Sequence, residues 1–171
     1  MGIIILEGCD ASGKDTFGLR LADELGYEMV RGSSFEISEL GADGMFEYMS
    51  ELLDRDNIVI NRFMHSNLVY GALFDYPMMS HEQYAELTKK INEVALPIYL
   101  YSEPHVIKER LSSRGDDMVK ASHVDSILKA YSHEWVGKYS TVRLLTINTE
   151  HSDMSYQREV NRVKDILYGD A

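Results

Sequence analysis

The chain has 171 residues, 44% hydrophobic and 26% charged, which suits one domain with a buried core. Seventeen Lys and Arg against 28 Asp and Glu leave a net charge of −11, a surface that repels a phosphate backbone and argues against a nucleic-acid partner. The single cysteine, Cys9, allows no intramolecular disulfide, and the apolar start "IIIL" is too short for a signal or a membrane span, so a cytoplasmic protein without a membrane partner is expected.

Five apolar runs alternate with longer segments of helical period. Residues 2–8, "GIIILEG", form the first run, and consecutive β-branched residues predict a strand buried on both faces of a parallel sheet. Residues 14–25 set Phe17, Leu21 and Leu25 four apart and end at Gly26, the pattern of an amphipathic helix with a glycine stop. Further strands are expected at 27–32, 57–63, 97–103 and 141–149. Helices are expected at 80–94, where Ser80 is placed to cap, and at 152–167, where Tyr156, Val160, Val163 and Leu167 share a face. This alternation predicts one three-layer α/β domain over 1–171, with a five-stranded parallel sheet and ligands at the carboxyl ends of its strands.

The first strand runs into "GCDASGKDT", which reads G-x-x-x-x-G-K up to Lys14. Between a strand and a helix this pattern predicts a loop whose glycines turn backbone N–H groups toward phosphates, helped by the positive end of the helix dipole. Gly8, Cys9, Asp10, Ala11, Ser12, Gly13, Lys14, Asp15 and Thr16 are thus the expected nucleotide-binding residues, with Lys14 reaching the terminal phosphates. The next position normally holds a hydroxyl for Mg²⁺. Here it is Asp15, whose carboxylate can bind that ion directly but repels phosphate without it.

With this loop, the third run "NRFMHSNLVYG" (61–71) resembles the thymidylate kinases, P-loop nucleoside-monophosphate kinases, and a small member of the kind phages carry. The resemblance implies a P-loop kinase fold, ATP and Mg²⁺ as cofactors and a deoxynucleoside monophosphate as acceptor. It implies that Arg62 clamps the acceptor phosphate, that Asp10 lies near acceptor sugar and phosphate, and that Tyr70 packs on the sugar and disfavours a 2′-hydroxyl. Ser66 matches the family's serine, and Arg31 is a further acceptor contact. The fourth run leads into "VIKERLSSRG", where Arg110 and Arg114 match the arginines of a short lid at about 110–119. Tyr131 and Trp135 on the following helix continue the pattern, and pairing through helices implies a homodimer.

Three positions depart from that pattern. The hydroxyl after the loop lysine is Asp15, the strand-end Asp that helps place the metal is Asn61, and the base-contacting Gln is Gly71. One carboxylate is lost from the third strand and one gained at the first helix, so Asp15 and Asn61 are expected to be neighbours that share the metal. Gly71 is expected to leave room where the base would be read, so the base stays open. Two other functions compete. A deoxynucleoside kinase would use Glu36 as a base on a hydroxyl, and a nucleotide-binding protein with little turnover would account for Asp15 and Asn61. His65 and His81 are expected at the surface, and no Cys or His metal site is supported. "YGALFDYPMM" (70–79) suits either core or a dimer interface.

Overall fold

The computed structural model describes residues 2–115, 119–133, 139–150 and 156–169. Strands β1 (Ile3–Glu7), β2 (Glu28–Arg31), β3 (Ile58–Asn61), β4 (Ala95–Tyr101) and β5 (Leu145–Asn148) form one parallel sheet in the order β2-β3-β1-β4-β5. The central strand β1 is buried along its whole length. Its alternate side chains serve two cores. Ile3 and Ile5 join Ile58 and Ile60 beneath α3 (Gly41–Leu52) and α5 (His81–Val94), while Ile4 and Leu6 join Phe17 and Leu21 of α1 (Lys14–Leu25) and Val160 and Val163 of α8 (Gln157–Tyr168). Each such fully buried branched side chain contributes roughly 1.5–3 kcal/mol. Helices thus cover both faces, as the apolar strands require.

A third cluster lies behind the carboxyl ends of the strands. Cys9 and Ala11 meet Val69 of α4 (Met64–Phe74), Ile107 and Leu111 of α6 (Pro104–Arg114), and Val124, Ile127 and Tyr131 of α7 (Val124–His133). The loop after β1 therefore rests on a packed floor. The short α2 (Phe35–Ser38) follows β2 and is capped by Ser34.

Helix 14–25 and the Ser80 cap, with its reciprocal Gln83 bond, fall where the sequence puts them. Strand β4 begins at Ala95, two residues before its expected start, because α5 runs straight into it and Pro97 is held beside Ile5 of β1 before β5 begins to pair at Ile98. Strand β5 occupies only 145–148 of the expected 141–149, and Val142 is 87% exposed, so the upstream apolar residues are not sheet. His65 corrects the expectation of a surface histidine: it is buried, with Nε2 against the Tyr139 carbonyl, and burial lowers its pKa to about 4. Trp135 lies outside the described residues.

Candidate active site

Gly8 and Gly13 sit at φ +148° and +91°, and a Cβ at Gly8 would run into the Leu100 carbonyl oxygen. Four of the loop carbonyls are held by side-chain donors. Tyr131 OH bonds Gly8 O (3.2 Å), Lys14 Nζ bonds Cys9 O (2.8 Å), Arg110 Nη1 bonds Ala11 O (3.2 Å) and Thr149 Oγ1 bonds Ser12 O (2.7 Å). In a trans peptide the next N–H points opposite to the carbonyl, so fixing these carbonyls also fixes the amides that follow them, which can then serve a phosphate. The amide of Ser12 is instead bonded to Cys9 O. Lys14 is 4% exposed, and burial followed by the nearby Arg62 lowers its pKa to about 8. Cys9 lies under the loop, where burial pushes its thiol up to about 12.

Strand β3 ends at Asn61, and Arg62 then adopts φ 61°, a left-handed conformation uncommon for a side-chain-bearing residue, with its N–H on Leu6 O at 2.8 Å. This turn swings its guanidinium back over the loop. Nη2 meets Asp10 Oδ1 at 2.6 Å, Nη1 approaches Gly8 O at 3.4 Å, and the group lies 4.9 Å above the Tyr70 ring. The Tyr70 hydroxyl donates to the other Asp10 oxygen. Burial alone would raise the Asp10 pKa, but Arg62 and then Lys14 outweigh it, so the carboxyl is held below the usual range. A guanidinium has five N–H donors, so two bonds to the protein leave Arg62 donors for a ligand.

Beneath this group lies a carboxylate to which the sequence reading gave no role. Glu7 is fully buried, and its Oε1 accepts the N–H groups of Phe63 (3.0 Å) and Ser66 (3.1 Å). Its Oε2 accepts the Ser66 hydroxyl, and Tyr131 OH lies 3.4 Å away. Helix α4 has no side-chain cap from its own N-cap residue, Phe63, so Glu7 supplies one from β1. Burial raises the Glu7 pKa against these hydrogen bonds. The clue was a glutamate ending a run of buried aliphatics, where an ionisable group needs partners.

Asp15 and Asn61 are neighbours, as expected from the exchange of residue types: Asn61 Nδ2 donates to Asp15 Oδ1 at 2.7 Å. That bond fixes the amide orientation and leaves Asn61 Oδ1 buried without a partner. No three His, Cys, Asp or Glu among the described residues cluster to hold a metal by themselves. An oxygen pair of one carboxylate and one orphaned amide oxygen does fit Mg²⁺, which typically takes one or two protein oxygens and completes its shell with phosphate and water.

These elements border one cleft of about 380 Å³. Asp10, Ala11, Gly13, Lys14, Asp15, Thr16, Arg31, Asn61, Arg62, Ser66, Tyr70 and Arg114 all line it, together with Glu36. Gly8, Cys9, Ser12 and Arg110 do not. Arg110 lies behind the loop, with Nη2 on Thr149 O at 2.9 Å as well as Nη1 on Ala11 O. Residues 116–118 of the expected lid fall outside the described residues, and Val119 lines the cleft. Ser33, Ser34, Phe35, Asn67 and Tyr76 complete the wall and were not singled out from sequence, because segments far apart in the chain bring them together. Gly71 corrects one expectation. A Cβ there would strike the Met78 side chain and approach the Tyr76 carbonyl, so the absent side chain leaves no room, and the 76–78 turn fills it.

Comparison with known proteins puts this geometry in context. No family model matches the chain. The SPbeta prophage-derived protein YorR of Bacillus subtilis strain 168 is 42% identical over 132 residues, covering 77% of this chain and 80% of YorR. A crystal structure of Bacillus subtilis YorR in complex with phosphorylated GDP aligns with a TM-score of 0.86 and 33% identity over 99% of both chains. A shikimate kinase from Acinetobacter baumannii in complex with shikimate aligns at 0.64 and 17% identity over 99% of this chain and 94% of its own. A deoxyadenosine kinase from M. mycoides with bound dCTP aligns at 0.62 and 17% identity over 98% and 100%. The architecture is that of the P-loop kinases. No helix among the described residues is long and apolar enough to cross a membrane.

Proposed function

The chain belongs to the YorR family, and on that premise we propose that it transfers the γ-phosphoryl group of ATP to a deoxynucleoside monophosphate, as thymidylate kinases do. The observation that carries this reading is the arginine pair. Arg62, turned by its left-handed backbone and steadied by Asp10, lines the same cleft as Lys14, and so does Arg31, the register partner of Asn61 on the neighbouring strand. An acceptor that already bears a phosphate uses two such cations, whereas an uncharged nucleoside does not. The YorR crystal containing phosphorylated GDP supports a nucleotide site in this family.

Phosphoryl transfer asks for positioning and charge neutralisation more than covalent chemistry. The loop amides and Lys14 hold the donor phosphates. Lys14 leaves the Cys9 carbonyl to do so, exchanging one bond for contact with two phosphates. Arg62 offers its unused donors as a fork to the acceptor phosphate, a geometry that an ammonium cannot match. Tyr70, fixed through Asp10, forms the sugar wall, and Arg114 at the mouth adds positive charge over the reacting groups. Asp15 and Asn61 Oδ1 would hold Mg²⁺, which supplies charge neutralisation at the phosphates. Arg110 keeps the loop in shape from behind.

The test is ADP release from ATP and Mg²⁺ with each deoxynucleoside monophosphate, each deoxynucleoside and no acceptor. Release with a monophosphate is expected. Release with nucleosides alone would replace this reading with a nucleoside kinase in which Glu36 is the base. ATP binding without acceptor-dependent release would leave a nucleotide-binding protein.

A further inference from the structure

We propose that the acceptor base is guanine and that Glu36 reads it, an inference that rests on the monophosphate-kinase reading above. The cleft beyond Arg62 is walled by two segments: Ser33–Glu36 after β2, and Tyr70 with Tyr76 around the end of α4. They present flat apolar surface. Phe35 meets Tyr76 edge-on with centroids 5.3 Å apart, Tyr70 stacks on Phe74 at 5.8 Å, and Phe35 is still 47% exposed. An aromatic left open beside a polar cleft is a stacking platform for a planar ring.

The polar groups around that platform decide which ring. Three carboxylates line the cleft, and two are engaged: Asp10 by Arg62 and Tyr70, Asp15 by Asn61. Glu36 meets its own backbone N–H and the Ser34 hydroxyl, which keep its carboxyl below the usual range and ionised. A carboxylate has about four lone-pair sites, so acceptor capacity remains. Of the four bases, only guanine presents two adjacent N–H donors, N1–H and the 2-amino group, that match the two oxygens of one carboxylate. Adenine and cytosine set one amino donor beside a ring-nitrogen acceptor, which faces the second oxygen and is repelled. Thymine offers one N–H between two carbonyls, each of which repels the anion. Glu36 therefore selects as much by rejecting the other bases as by holding guanine. Guanine O6 needs a donor, and Ser33 in the same segment offers one: it lines the cleft, is 6% exposed, and its hydroxyl is taken up by no hydrogen bond among the described residues.

The experiment compares dGMP, dAMP, dCMP and dTMP for wild type and Glu36→Gln, by kcat/KM with ATP and Mg²⁺ and by equilibrium binding of each monophosphate. Glu36 is exposed in a four-residue helix, so folding is not at stake. The wild type is expected to prefer dGMP over each of the others by about 10- to 100-fold, the discrimination of one good bidentate contact. Glu36→Gln should erase that preference and shift it toward dAMP, because a glutamine amide offers one acceptor and one donor, the complement of the adenine edge. A wild-type preference for another base, or a dGMP preference unchanged in Glu36→Gln, overturns the inference while leaving the kinase reading intact. If none of the monophosphates is turned over, the binding series decides separately: selective, Glu36-dependent dGMP binding supports the guanine site even as the transfer reading fails.

Discussion

The two halves of the cleft are built in different ways. On the donor side four carbonyls of the loop are bonded, the glycines sit at φ values that side chains avoid, and Lys14 is buried against the loop. On the acceptor side Arg31, Phe35 and Glu36 are exposed, α2 has four residues, and the aromatic wall comes from separate segments. The donor site is thus backbone geometry with little freedom, which suits a phosphate chain common to all nucleotides. The acceptor site is side chains on short elements, which can change identity without disturbing the sheet. In this reading the donor half carries the chemistry and the acceptor half the choice of substrate.

The sharpest break of that contrast is Lys14→Met. If the donor half acts on every acceptor alike, transfer should fall by about 10³-fold with whichever monophosphate is used. Initial rates at saturating ATP across the four acceptors measure it. Losses that differ widely between acceptors would show that the halves are not separable.

A smaller effect is expected where the halves meet. Asp15 and Asn61 bridge α1 and β3, and the exchange of residue types predicts that Asp15→Ser weakens divalent-ion uptake by roughly 10- to 100-fold, the range found when a metal site loses a supporting group. Adding Asn61→Asp should restore it. Mn²⁺ titration followed by electron paramagnetic resonance, with a non-hydrolysable ATP analogue bound, reads this without turnover. A double variant no better than the single would sink the exchange.

The same contrast explains what the sequence could disclose. Gly8, Gly13 and Lys14 were legible because only glycine tolerates those backbone angles beside a carbonyl, so the spacing is nearly a description of the shape. The five strands were legible because burial on two faces leaves continuous aliphatic runs, although β5 was drawn too long where Val142 is solvent-exposed. Glu7 escaped notice because its partners, Phe63 N–H, Ser66 and Tyr131, lie 56 to 124 residues away. Ser33 and Tyr76 carry no local signature at all, since a cleft wall made of two segments exists only after the sheet has ordered them. Gly71 misled for the related reason that a missing side chain says nothing about which neighbour fills its place.

The smallest expected effect is one of pH, and it sharpens the account of the donor half. With no phosphate present, the Lys14 ammonium has the Cys9 carbonyl as its hydrogen-bond acceptor, while burial and Arg62 oppose its charge and bring its pKa to about 8. A bound triphosphate favours the charged form and raises that pKa again. Well below pH 8 the amine is almost entirely protonated and binding moves little proton at this site. Between about 8 and the unperturbed 10.5 the free protein carries a neutral amine, so binding must take up a proton and affinity weakens with rising pH, by at most tenfold per unit. The phosphates do not confuse the reading, since their last ionisation, near pH 6, is complete in this range. Calorimetric titration with an ATP analogue at pH 7 and pH 9, in buffers of different ionisation enthalpy, should register proton uptake mainly at the higher pH. In Lys14→Met that uptake should vanish while any residual binding persists. Equal affinity and no uptake at pH 9 in the wild type would mean that the loop carbonyl and neighbouring Asp10 already stabilise the ammonium, and that the donor half is charged and ready before nucleotide arrives.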